Sequence, residues 1–222
     1  MTLVALAWPV VFAQPLDAQT DRLELEIAPF AGGAFFLGDG PRSYALERGG
    51  SEPMVVEGAR YEDGWTAGFG AGLRLSDAFS VQTLFVWVPT WLTGSNLVDG
   101  TDVYAYIYGV TGIVRLPLSG PLQPYWGVGM GAKTFDFSGS IHSRTQWTTT
   151  FVAGMSFDLG AGQSIHREGR DLLAPFDSGL TGVPGGWEND LMITAGMSWR
   201  IPLGRQKPRP TVQRGRGGLF PG

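Results

Sequence analysis

From Leu191 to Ile201 every odd position is apolar: Leu191, Ile193, Ala195, Met197, Trp199 and Ile201. The even positions are small, polar or charged and include Asp190, Thr194, Gly196, Ser198 and Arg200. Successive side chains of a strand point to opposite faces, so this period of two predicts a strand with one greasy face and one sparsely charged face. A near copy lies some forty residues earlier. There Phe151, Ala153, Met155, Phe157 and Leu159 oppose Thr148, Thr150, Gly154, Ser156 and Asp158. Both segments contain Ala-Gly-Met-Ser followed by an aromatic, a charged and an aliphatic residue.

The same period marks most of the chain. Trp65, Ala67, Phe69, Ala71, Leu73 and Leu75 oppose Thr66, Gly68, Gly70, Gly72, Arg74 and Ser76. Trp126, Val128, Met130 and Ala132 oppose Gly127, Gly129, Gly131 and Lys133. Tyr104, Tyr106, Tyr108, Val110 and Val114 oppose Gly109, Thr111 and Arg115, with Ile107 and Ile113 as exceptions. Leu23 to Leu37 opens with Leu23, Leu25 and Ile27 against Glu24 and Glu26, then blurs at Pro29 and Gly32-Gly33, where a bulge is expected. Phe79 to Trp91 is apolar on both faces, which leaves its phase open. Gln163 to Phe176 is the weakest strand, because it carries His166, Arg167, Glu168, Arg170 and Asp171. No segment sustains a 3.6-residue period.

The connections sort by length. Long gaps fall at Gly38–Arg60, Thr93–Thr101 and Asp177–Trp187, with an intermediate one at Gly139–Arg144. Tight ones fall at Ser76–Ala78, Ser119–Pro121 and Gly160–Gly162. Long and short alternate, so an up-and-down barrel of eight strands collects the long loops at one rim and the tight turns at the other. The predicted fold class is therefore all-β: an eight-stranded antiparallel up-and-down transmembrane β-barrel.

Charge separates a membrane barrel from a soluble one. A soluble barrel wets its outside, yet here the polar face carries about one charge per strand and the other face essentially none. An Arg or Lys facing lipid at mid-membrane costs roughly 2–4 kcal/mol, which is a physical reason to exclude it. The expected interior network comprises Glu24, Glu26, Arg74, Arg115, Lys133, Asp158 and Arg200, with Asp136 as a further acid. The cations are expected to cross the lumen toward the acids, since a buried unpaired charge is costly. A barrel of about eight strands is just wide enough for side chains to fill, so the lumen is expected to be plugged. Trp65, Trp87, Trp91, Tyr104, Trp126, Trp147, Trp187 and Trp199 are candidates for two interfacial girdles. Gly64-Trp65 is also a short match to the Gly-x-Trp motif of lipocalins, the soluble alternative.

Composition agrees with this picture. Charged residues make up 16% of the 222 residues, below the roughly 25% usual for soluble domains. No run of about 20 apolar residues supplies a membrane helix. The chain has no cysteine, which excludes disulfides, zinc-thiolate sites and a cysteine nucleophile. Residues 1–18 read as a signal peptide, with an apolar run from Leu3 to Ala13 and cleavage after Ala13 or Ala18, although no Lys or Arg precedes Arg22. The barrel occupies 19–204. Residues 205–222 form a basic tail, with Arg205, Lys207, Arg209, Arg214 and Arg216 among Pro and Gly, and this composition predicts disorder.

Over Asp21–Gly204 the pattern resembles the small eight-stranded outer-membrane barrels of the OmpA/OmpX type. The most specific element is the last strand. Its Thr194, Gly196, Trp199 and Ile201 are similar to that family's carboxyl-terminal assembly signal, which the barrel-assembly machinery reads. The resemblance implies the bacterial outer membrane, contact with its lipid, and both termini in the periplasm. The tail departs from the pattern, being too short for a peptidoglycan-binding domain.

Candidate chemistry is sparse. The two histidines, His142 and His166, fall near opposite rims, form no triad with a serine and an acid, and read as solvated. Glu62-Asp63 and Glu188-Asn189-Asp190 are at most weak loop calcium ligands. The prediction is no enzyme, no cofactor, no metal site and no nucleic-acid partner. Two functional readings remain: a structural or surface-interaction barrel whose long loops meet an unspecified partner, and a small pore or transporter. A lipid-modifying enzyme at the rim is a remote third.

Overall fold

A computed structural model describes residues 23–37, 42–46, 54–94, 101–138, 143–176 and 186–203. The expected signal peptide (residues 1–18), the basic tail (205–222) and His142 lie outside the described residues. Ten strands follow in chain order: β1 (Glu24–Phe36), β2 (Arg42–Leu46), β3 (Met54–Tyr61), β4 (Gly64–Arg74), β5 (Phe79–Thr93), β6 (Thr101–Arg115), β7 (Leu122–Phe137), β8 (Arg144–Gly160), β9 (Gln163–Phe176) and β10 (Gly186–Pro202). Eight of them, β1 and β4 to β10, close into an antiparallel barrel. β10 returns to β1 through Glu24↔Pro202 and its neighbours, and the β5–β6 pairing completes the ring. The barrel expectation therefore holds.

The first long connection holds a β-ribbon of its own, β2 paired with β3. β3 joins the barrel wall only where Arg60↔Thr93 and Tyr61↔Leu92 extend β5. No bulge occurs at Gly32-Gly33, since the β1–β4 register runs without a shift from Glu24↔Arg74 to Ala34↔Gly64. The irregularity of the wall sits instead between Asp158 and Gly160. There Gly160, Ala161 and Gly162 all have positive φ (84°, 52° and 77°), a left-handed run that the two glycines adopt without a Cβ penalty and Ala161 adopts at that cost. Asp158 Oδ1 accepts a 2.8 Å hydrogen bond from the Gly160 amide and fastens this turn.

The expected girdle residues do face outward. Trp147 and Trp187 are the most exposed tryptophans, and Trp65, Trp87 and Tyr104 form a row across β4, β5 and β6. Phe79 to Trp91 acquires a definite phase. Its even residues Leu84, Val86, Val88 and Leu92 are buried inside, while Phe79, Phe85 and Trp91 are exposed outside. The inward residues explain why the strand is apolar on both sides. Together with Ile107, Phe135, Phe137, Leu172 and Met192 they form an apolar core in the long-loop half of the lumen. The interior is thus not uniformly small and polar: polar residues fill the tight-turn half, and apolar ones surround a buried charge cluster, Lys133 with Glu188 and Asp190, in the other.

Candidate functional site

The lumen holds the chemistry of this chain, and its layers follow from period-two parity. At the tight-turn end, Arg115 donates from Nη2 to Glu26 Oε2 at 2.8 Å and from Nη1 to Ser80 Oγ at 2.6 Å. Arg200 Nη2 lies 2.5 Å from Asp158 Oδ2. Arg74 turns instead toward the β4–β5 turn, donating to the carbonyls of Ser76 and Asp77. Ser164 and Ser198 share a hydrogen bond of 2.7 Å between them. A cavity of only about 10 Å³ remains among these groups. Glu24 is half-buried at this rim.

The middle layer is built by β9. Its even residues His166, Glu168 and Arg170 point inward and are buried. Glu168 accepts from Arg170 Nε at 2.6 Å and from the Tyr125 hydroxyl at 2.8 Å, so its two oxygens hold a guanidinium and a phenol. Arg170 reaches on to Gln82 Oε1 at 3.1 Å. Charge-assisted bonds of this kind offset the cost of taking the ions out of water. His166 lines a cavity of about 20 Å³ with Glu26, Tyr125 and Ser156, enough for a water or two and too small for a lipid or sugar.

Glycine makes this crowding feasible. A Cβ on Gly154 would stand 2.6 Å from the Tyr125 ring, and one on Gly196 would stand 2.8 Å from the His166 imidazole. The glycine of each Ala-Gly-Met-Ser copy is therefore the seat of a large lumenal side chain. In the loop-side half, Lys133 is fully buried and donates to Glu188 Oε2 at 3.0 Å and to Asp190 Oδ2 at 2.5 Å, with its ammonium 4.8 Å from the centre of the Phe135 ring.

Of the sequence-predicted residues, Arg115 with Glu26 and Arg200 with Asp158 are brought together. Lys133 pairs with acids outside the predicted set, and Arg74 binds turn carbonyls. Asp136 does not join the network: parity puts it on the exposed outer face of β7, because Lys133, Phe135 and Phe137 take the inward positions. His166 is not solvated but sits in the lumen. Of the assembly-signal residues, Thr194 is buried beside Glu168 and Gly196 faces inward, while Trp199 and Ile201 are exposed outside. The acids proposed for calcium have other engagements: Asp63 caps the Phe36 amide and Glu62 accepts from Thr93. No metal-binding group of three side chains occurs among the described residues. Glu168, Arg170, Glu188 and Asp190 were not in the expected interior network, although strand parity marks each as an inward position.

Comparison with known proteins points one way. A family model described as outer membrane protein beta-barrel domain matches residues 3–168. Among solved structures, the chain is similar to the outer membrane protein OprG from Pseudomonas aeruginosa, at 15% identity and TM-score 0.53, over 79% of this chain and 95% of that one. It is similar to Neisserial surface protein A at 15% identity and TM-score 0.50, over 82% and 97% of the two chains. It is also similar to the outer membrane protein AlkL, at 17% identity and TM-score 0.52, over 90% and 97%. No curated protein matches the sequence significantly.

Proposed function

The chain belongs to the outer-membrane β-barrel domain family, and from that premise we propose a closed, non-conducting barrel that serves the cell through architecture and through contacts at its long-loop rim. The observation that carries this reading is the filled lumen. Three stacked groups occupy it: Arg115–Glu26 with Arg200–Asp158, then Glu168–Arg170–Tyr125, then Lys133 with Glu188 and Asp190 inside an apolar core. Among the described residues, two cavities in the polar half hold only about 20 and 10 Å³. A hydrated ion needs a continuous wet path, and an apolar layer above ion-paired layers does not offer one.

In this reading the tight turns and both termini lie in the periplasm and the long loops outside, as is usual for barrels with short turns at one rim. Leu23 and Leu203, which flank the β1–β10 seam, meet at the tight-turn rim, where the Leu203 amide donates to the Leu23 carbonyl at 2.8 Å. The test is single-channel recording in planar bilayers. The expected result is silence or rare flickers; a stable open state on the nanosiemens scale overturns the proposal.

A further inference from the structure

Strand β9 differs from every other barrel strand on its outer side. Its odd residues point away from the lumen, and they include Arg167 and Asp171, with Gly169 between them. Arg167 is paired in register with Met155 and Ala195, and Asp171 with Phe151 and Leu191, so both lie within the apolar belt of their neighbours. On the other barrel strands, the described outward charges Asp102 and Asp136 stand only at the long-loop ends. Oδ1 of Asp171 is buried without a hydrogen-bond partner, and Arg167 has no ion-pair or hydrogen-bond partner among the described residues. The sequence reading of an uncharged outer face fails here, and a lipid surface does not repay two such groups.

We infer that the outer face of β9 is a two-fold interface with a second copy of this chain, in which Arg167 of each copy pairs with Asp171 of the other. The inference rests on membrane insertion, because insertion fixes the geometry. Two copies in one bilayer share an orientation, so their two-fold axis runs along the membrane normal. Barrel strands tilt about 35–45°, and two β9 strands related by that axis cross like an X. Let them cross at Gly169. Within one chain Arg167 and Asp171 are about 13 Å apart along the strand, and their side chains stand off the sheet side by side. Across the crossing, Arg167 falls beneath the partner's Asp171 on the same vertical line. The height difference is about 10 Å at that tilt, and both side chains point into the shared gap. An extended arginine spans such a gap. The patch is thus self-complementary in charge. It is also small at its centre: Ala153 and Ala195 flank Gly169 and Arg167 in register, which lets two walls approach closely.

The absence of cysteine in the chain makes the test clean. A Cβ at position 169 meets nothing closer than 4.0 Å, so Gly169→Cys fits the wall. In phospholipid bilayers under mild oxidation, Gly169→Cys is expected to give a disulfide-linked dimer. Phe69→Cys, outward on β4 across the barrel, is expected to give only collisional background. In the Gly169→Cys background, Arg167→Asp or Asp171→Arg alone places like charges opposite each other and is expected to lower the yield at least about tenfold. The double exchange Arg167→Asp/Asp171→Arg restores it. An Arg167 that merely reaches toward lipid phosphate would not be rescued by that exchange, so failure of rescue overturns the inference. So does a Gly169→Cys yield no higher than that of Phe69→Cys. Mobility of unboiled against boiled samples on the same gels separates the two levels. Folded but uncoupled protein sinks the dimer alone, whereas loss of the mobility shift in the parent chain sinks the barrel reading with it.

Discussion

Arg200 Nη2 meets Asp158 Oδ2 at 2.5 Å, and each is the charge that follows one copy of Ala-Gly-Met-Ser. The two copies flank β9 on either side, with Ser156 and Gly196 both paired in register with His166. Alanine and methionine of each copy face outward, and glycine and serine face the lumen. The repeat therefore places an anion and a cation at matching heights on strands eight and ten of the chain order, where they join across β9. The energetic worth of that pair is modest, because both side chains retain contact with water.

Double substitution isolates it. With side chains 18% and 30% exposed, the Arg200–Asp158 pair is screened, and a coupling energy of about 0.5–1 kcal/mol is expected. Arg200→Ala, Asp158→Ala and the double variant, unfolded by denaturant in lipid vesicles, give the cycle. A coupling above about 3 kcal/mol would place the pair in the class of fully buried bridges instead.

Glycines inside the wall differ sharply from one another. Gly154→Ala pushes a methyl into the Tyr125 ring, and Gly196→Ala brings one against the Pro29 carbonyl and within 2.8 Å of the His166 imidazole; each is expected to cost about 1–3 kcal/mol. Gly186→Ala meets nothing within 4 Å and is expected to stay within about 0.5 kcal/mol of the parent. Equal effects at all three positions would mean that loss of β-strand glycine, not crowding, sets the cost.

The period-two pattern was readable wherever inward residues are small, as at Gly68, Gly70 and Gly72 or at Gly127, Gly129 and Gly131. It faded where the lumen reverses the usual polarity. β5 looked apolar on both sides because its inward residues build the loop-side core. β9 was the weakest strand in the sequence because His166, Glu168 and Arg170 face in while Arg167 and Asp171 face out. Hydropathy cannot separate those two sets, and only parity counted from the tight turn at Gly160–Gly162 does. Glu188 and Asp190 share parity with Thr194, Ser198 and Arg200, yet their neighbourhood of Gly and Pro suggested a loop. Which cation meets which acid depends on register across several strands, and that information is not local in the sequence.

The β2–β3 ribbon is held to the lumen by an aromatic stack. Tyr61 lies parallel to Phe135 with ring centroids 4.4 Å apart and planes 2° apart, and Phe135 is fully buried. Phe135→Ala removes the stack and opens a cavity in the apolar core, at an expected cost of about 3–5 kcal/mol. Limited proteolysis is then expected to cut the connection between β2 and β3 faster than in the parent. Unchanged cleavage would show that the ribbon holds its place without Tyr61.

Lys133 offers the sharpest test of how the lumen is balanced. Its ammonium is fully buried between Glu188 and Asp190, at 3.0 and 2.5 Å. Lys133→Met has nearly the right volume, but it leaves two carboxylates facing each other in an apolar core without the cation they share. The expected loss is about 3–5 kcal/mol, the usual cost of breaking a buried pair from one side. Removing all three charges together, as Lys133→Met with Glu188→Gln and Asp190→Asn, takes away the repulsion and the desolvation penalty at once. That triple variant is expected to recover most of the loss. Denaturant titration in lipid vesicles reads both outcomes. A triple variant as unstable as Lys133→Met would mean that the geometry of the bridge, rather than the balance of buried charge, holds the loop-side lumen together.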